Sequence, residues 1–243
     1  MTRLAFVQLN SCGGCLFSLL ANPVFPDIIK SADICYFPII SDQNSVKRAE
    51  IAFVEGCVTN ESEANLLRQL YTDGAKIVAL GTCAVLGGIM SQSENMQVYP
   101  VGKYVDLHAL LPGCPPPQYL MGNLLLSAIQ GTDFILPEKN VCAECPYTMD
   151  QDYSTEINCI NPPRPPKSCF IREGVLCLGP ITRAGCEARC LMAGTPCDGC
   201  FGTLKRSMPA AIANFFSVLR ISPQIRKLAA LALRYQKPEL GKS

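Results

Sequence analysis

Residues 4–15 read "LAFVQLNSCGGC": an apolar run that breaks off at a polar turn and delivers a CxxC pair. The run is too short for a core helix, and as a continuous apolar segment bounded by turn residues it reads as a strand buried on both faces. Further short apolar runs at Ile34–Ile40, Ile51–Val54 and Ile77–Leu80 read the same way, and another strand is expected near Tyr104–Leu107. Between them lie helical segments, the clearest being "NESEANLLRQLYTDG" at 60–74. Asn60 is placed to cap it, with Glu63 three residues on. Leu66, Leu67, Leu70 and Tyr71 would form its inner face, and Gly74 would end it. Strands alternating with helices predict an α/β fold with a doubly wound parallel sheet of the flavodoxin-like kind.

The cysteines sit where such a sheet builds its sites. Cys12 and Cys15 follow the first strand, Cys83 ("GTCAVLGG") follows the fourth, and Cys114 ("PGCPPP") follows the last. Ligands of open α/β sheets collect outside the carboxyl ends of the strands, so three loops distant in sequence can present four thiolates at one place. The adjoining Gly13, Gly14, Gly81 and Gly113 allow backbone to approach a bulky group. Four thiolates suit an iron–sulfur cluster or a structural zinc equally on chemistry alone. Cys35, inside a strand, reads as core packing. Cys57, in "VEGCVTN", follows a strand end and is expected to be a neighbour of the site and not a ligand.

Composition narrows the field. The chain has 243 residues, 49% of them hydrophobic, a formal net charge of +1 and 15 cysteines. That is enough for one sizeable core and a small appendage, without the charge asymmetry of a nucleic-acid-binding surface. No apolar run approaches the roughly 18 residues of a membrane span, and the first residues lack a secretory pattern. A cytoplasmic location is the expectation, and there crowded cysteines mean metal before disulfides. An odd number of thiols also cannot pair completely within one chain.

After Gly131 the alternation stops. The stretch from Pro137 to Cys200 is rich in proline and cysteine and poor in periodic apolar residues, so bound metal is expected to organise it. The expected division is a flavodoxin-like domain over 1–134, a small irregular cysteine-rich domain over 135–203 and a helical tail over 204–243. In the tail Phe215, Phe216, Leu219, Leu228 and Leu231 would form a buried stripe. Arg183 and Arg189 read as solvated cations among the cysteines, and the lone histidine, His108, lies outside the motifs.

Taken in order, "CGGC", "EG", "GTCAVLGG", "PGCPPP", "VCAEC", "CLGPITRAGC" and "CDGCFG" resemble the electron-transferring small subunit of NiFe hydrogenases, from about Arg3 to Gly202. The resemblance is strongest to cytoplasmic group 3 members, which include the viologen-reducing type associated with heterodisulfide reductase. It implies a proximal 4Fe-4S cluster on Cys12, Cys15, Cys83 and Cys114. It implies a distal 4Fe-4S cluster on Cys142, Cys145, Cys169 and Cys177, and a medial one on Cys186, Cys190, Cys197 and Cys200. Periplasmic uptake enzymes usually carry histidine where Cys142 stands and proline where Cys190 stands; here the fourth medial thiol implies a four-iron cluster. Gly14 and Gly88 occupy the places of the two extra cysteines of oxygen-tolerant relatives. Cys159 would be a spare, although it could exchange roles with Cys169.

The implied partners are a large subunit carrying the nickel–iron centre and an acceptor subunit of ferredoxin-like, flavin or heterodisulfide-reductase type. The implied role is to pass on electrons released by dihydrogen oxidation, within a complex that could bifurcate electrons. The competing readings are a small subunit of a complex I-like redox assembly and a zinc-stabilised binding scaffold.

Overall fold

Five parallel strands form one sheet in the order β2-β1-β3-β4-β5: β1 (Arg3–Gln8), β2 (Asp33–Tyr36), β3 (Ile51–Glu55), β4 (Lys76–Leu80) and β5 (Ala109–Leu111). This is the flavodoxin-like order, in which the chain reverses its direction of winding between β1 and β3. The computed structural model describes residues 1–42, 45–147, 156–160, 162, 165–204, 208–222 and 234–235. The chain divides into two compact units, Met1–Leu136 and Pro137–Ser243.

Strand alternation sorts the first unit's core into two layers. On one face Phe6 of β1 stacks on Phe53 of β3 with ring centroids 5.2 Å apart, in register across the parallel pair. Phe37 and Phe25 close around Phe6 at 4.6 and 5.9 Å, the latter from α2 (Phe25–Ser31). α2 and α1 (Gly14–Leu20) both pack against α5 (Gln118–Gln130). On the other face Ala5, Val7, Ala52, Val54, Ile77 and Ala79 meet Ala64, Leu67 and Leu70 of α3 (Glu61–Thr72). Small strand residues on this side let the leucines of α3 seat closely against the sheet.

The start of α3 differs in detail from the expected capping box. The Asn60 side chain accepts from the Glu63 N–H at 3.0 Å. Glu63 does not return the bond to Asn60; it accepts from the Thr59 N–H at 2.7 Å and its hydroxyl at 3.0 Å. Tyr71 is exposed, not on the inner face, because its hydroxyl reaches Asp106 at 3.1 Å. The last strand also lies later than expected. Val101–Lys103 form a 3-10 turn, and only Ala109–Leu111 pair with β4. Residues 104–107 have strand-like composition, but they carry the chain toward the edge of the sheet. His108 is exposed.

Among its described residues the second unit has little regular structure: short 3-10 turns at Val141–Ala143 and Gly179–Ile181, α6 (Arg189–Met192) and α7 (Met208–Val218). It nevertheless contains an apolar core of Val141, Ile157, Phe170, Val175, Leu178 and Leu191. The sequence did not show this core because its members lie on loops and single short turns, where no period repeats. Phe215, Phe216 and Leu219 pack against it as expected; Leu228 and Leu231 lie outside the described residues. Ile157 pairs in parallel with Ile221 and Cys159 with Val175. Arg234 forms an ion pair with Asp198 at 3.1 Å.

Candidate functional site

The carboxyl ends of β1, β3, β4 and β5 are stitched into one rim. The Leu9 N–H donates to the Glu55 carbonyl at 2.9 Å, and the Cys57 N–H donates to the Asn10 carbonyl at 3.0 Å. The Thr82 N–H donates to the Gly113 carbonyl at 3.0 Å, and the Gly113 N–H donates in return to the Thr82 hydroxyl at 3.1 Å. Gln118, four residues beyond Cys114, donates to the Ser18 carbonyl at 2.8 Å and accepts from Asn22 at 2.7 Å. These bonds fix the loops that carry Cys12, Cys15, Cys83 and Cys114 relative to one another, over sequence gaps that local propensity cannot bridge.

The thiols of those four residues gather there. Burial pushes Cys15 well above the ordinary thiol range, and the charges of Glu55, Cys83, Cys114 and Cys12 push it further. Burial pushes Cys83 up to about 12, reinforced by Cys57, Cys114 and Cys12. Burial, then Cys12, raises Cys114. Two glycines make room for the sulfurs. Gly81, at the start of α4 (Gly81–Leu86), has φ +86°, and a Cβ there would fall inside the van der Waals surface of the Cys15 Sγ. A Cβ on Gly88 would stand 2.5 Å from the Cys83 Sγ.

Glu55, the last residue of β3, ties the site together. It is 1% exposed, and its carboxylate accepts from the Ser11 hydroxyl and the Leu16 N–H, each at 2.5 Å. It thus holds the CxxC loop from both sides, a part no spacing rule announces. Cys57 is fully buried and donates its S–H to the Asn10 carbonyl at 3.3 Å. Burial raises it to about 11, and it adjoins Cys83. Cys35 is buried in the core, bonded to the Leu4 carbonyl at 3.3 Å.

The second unit contains a cavity of about 330 Å³ lined by Cys142, Cys145, Cys169 and Cys177, with Tyr147, Phe170, Ile171, Gly179, Pro180 and Leu191. Burial raises Cys142 to about 12, followed by the charges of Cys177, Cys145 and Cys169. Cys159 lines none of this cavity; its backbone instead pairs with Val175. Among the remaining cysteines, Cys190 adds to the burial that raises Cys186, and Cys200 adds to that which raises Cys197. Cys197 is also coupled to Cys177, whose Sγ accepts the Cys197 N–H at 3.3 Å. Arg183 donates to the carbonyls of Pro137 at 2.9 Å and Leu204 at 3.2 Å, so it ties two loops together; Arg189 pairs with Glu187 at 2.8 Å.

No disulfide joins any of the 15 cysteines. Desolvated thiols resist losing their protons, yet only thiolates hold metal. Crowding them in fours against apolar walls is therefore sensible where a strongly cationic inorganic group compensates the charge. Iron–sulfur clusters are bound in this way, by four cysteine thiolates. The donor set and the glycine clearances fit such a group.

Residues 12–128 match the family model described as "NADH ubiquinone oxidoreductase, 20 Kd subunit". Over longer spans the chain is 31% identical to a subunit of the vhu F420-non-reducing hydrogenase of Methanococcus voltae, covering 82% of each chain. It is 29% identical to the corresponding subunit of Methanocaldococcus jannaschii, covering 98% of this chain and 95% of the relative. The delta subunit of sulfhydrogenase 2 from Pyrococcus furiosus is 26% identical over 95% of this chain and 99% of its own. In fold, the chain resembles a subunit of a solved NAD+-reducing NiFe hydrogenase, with TM-score 0.50 and 22% identity over 56% of this chain and 95% of that one. Relatives that extend through both the sheet and the cysteine-rich unit carry the assignment: the chain belongs to the small subunits of group 3 NiFe hydrogenases.

Proposed function

We propose that this chain is the electron relay of a NiFe hydrogenase. It would take electrons from dihydrogen oxidation on a separate large subunit and deliver them to an acceptor subunit through three 4Fe-4S clusters. The proximal set would be Cys12, Cys15, Cys83 and Cys114; the distal, Cys142, Cys145, Cys169 and Cys177; the medial, Cys186, Cys190, Cys197 and Cys200. Such clusters, when bound, supply one-electron carriers whose potentials follow charge, hydrogen bonding and exposure.

The observation that carries this reading is the four-thiol cavity of about 330 Å³, in a chain whose first unit gathers four more thiols outside the carboxyl ends of its strands. Among the described residues, no three His, Cys, Asp or Glu side chains converge closely enough to share one metal ion. The medial set rests chiefly on the family pattern, supported by the closeness of Cys186 to Cys190 and of Cys197 to Cys200.

The chain's own residues would hold the proximal loops rigid through Glu55, Thr82 and Gln118 and keep water from the buried sulfurs. The exposed Cys12 and Cys114 would lie on the side facing the large subunit. No described helix is long and apolar enough to cross a membrane, which is compatible with work in the cytoplasm beside a ferredoxin-like, flavin or heterodisulfide-reductase-type acceptor. The test is iron and acid-labile sulfide analysis of the anaerobically purified complex, with electron paramagnetic resonance (EPR). About twelve irons assigned to this chain are expected for three four-iron clusters. Colourless chain holding stoichiometric zinc would end the proposal.

A further inference from the structure

Glu144 stands in the chain between two cysteines of one set, Cys142 and Cys145, yet its carboxylate is engaged elsewhere. One oxygen accepts the Gly185 N–H at 2.8 Å, immediately before Cys186. The other oxygen is buried and has no hydrogen-bond partner. The carboxylate adds to the burial that raises the Cys186 thiol, whereas the charges acting on Cys142 and Cys145 are those of other cysteines. An acid has thus been carried on the loop of one sulfur set and turned toward the next.

Burying an oxygen without a donor is unfavourable, the more so when it is charged. A glutamine in the same pose would keep the bond from Gly185 and shed the charge. The bond alone therefore does not account for an acid here; a carboxylate in this place would also bring negative charge to Cys186.

We infer that Glu144 is a positioning residue for the Cys186, Cys190, Cys197 and Cys200 cluster: it clamps the Gly185–Cys186 peptide and places a fixed negative charge that lowers that cluster's reduction potential. An added negative charge disfavours the reduced, more negative cluster, and net charge is among the levers that set such potentials. Its direction makes the site a poorer electron sink, suited to passing electrons on. The inference rests on the proposed cluster assignment.

The experiment is an EPR-monitored redox titration of the whole anaerobic complex, comparing wild type, Glu144→Gln and Glu144→Asp. The signal in question is identified by its loss in Cys197→Ala. Glu144→Gln should keep full iron and raise this midpoint. A tenfold gain in the equilibrium preference for reduction corresponds to about 59 mV for one electron. The distal signal should move less, and Glu144→Asp, which retains the charge, should stay near wild type. An unchanged midpoint in Glu144→Gln, or an equal shift in Glu144→Asp, overturns the inference. So does loss of that cluster from Glu144→Gln with retention in Glu144→Asp, since the acid would then be required for assembly. If wild type shows no signal that Cys197→Ala removes, it is the cluster assignment that has failed.

Discussion

Replacing Gly81 by alanine should empty the proximal site while leaving the rest of the chain loaded. Two effects act at this position. At φ +86° a side chain strains the backbone, which for left-handed conformations costs roughly 1–2 kcal/mol. The new methyl would also collide with the Cys15 Sγ, and Cys15 cannot yield freely because the adjoining Leu16 N–H is bound to the buried Glu55 carboxylate. Gly74 provides the control: it has φ +91° and nothing within 4 Å of the place a Cβ would take, so Gly74→Ala isolates the backbone term. Both variants should melt lower, by about 2–4 °C for each kcal/mol lost in a chain of this size. Only Gly81→Ala should also lose about four irons and the proximal EPR signal. The assays are iron analysis, EPR and thermal unfolding of the anaerobic complex. Gly81→Ala with full iron and an unshifted proximal signal would refute the claim that this glycine is clearance for a cluster ligand.

Three further outcomes are expected. Cys169→Ser should remove about four irons while Cys159→Ser removes none; the reverse result would exchange the two residues' roles. Asn60→Ala should cost about 1 kcal/mol through loss of the bond to the Glu63 N–H, read as a lower thermal midpoint, with Asn60→Asp close to wild type. In cluster-free protein, burial raises Cys57 to about 11 and Cys83 to about 12 from 9.0, so the fold binds these protons more tightly than the unfolded chain. Their contribution to stability should be complete below about pH 9 and disappear as the pH rises from there toward 12, measured by chemical denaturation under anaerobic conditions. A flat profile over that window would contradict the burial of these thiols.

The sheet was legible because its strands are continuous apolar runs and because the cysteines follow strand ends, which is where a doubly wound sheet gathers its loops. Composition misplaced the last strand, since residues 104–107 resemble β5 more than the short segment Ala109–Leu111 that pairs. Tyr71 was assigned to the core by helical period, a rule blind to the Asp106 carboxylate that draws it outward. The residues least visible in the sequence are the two acids. Nothing near Glu55 in the chain indicates that it spans Ser11 and Leu16, and Glu144 looks like a spacer between cysteines until Gly185 is seen to donate to it. Such roles join residues about forty apart in sequence, beyond the reach of any local pattern. Cysteine pairs a few residues apart stand out in the sequence; the acids bonded beside them follow no repeat.

Under the proposed assignment, the bond from the Cys197 N–H to the Cys177 sulfur joins the loop of one sulfur set to a ligand of the other. A peptide dipole of the first would then solvate a thiolate of the second, so that charge arriving at either cluster would be felt through the backbone of its neighbour.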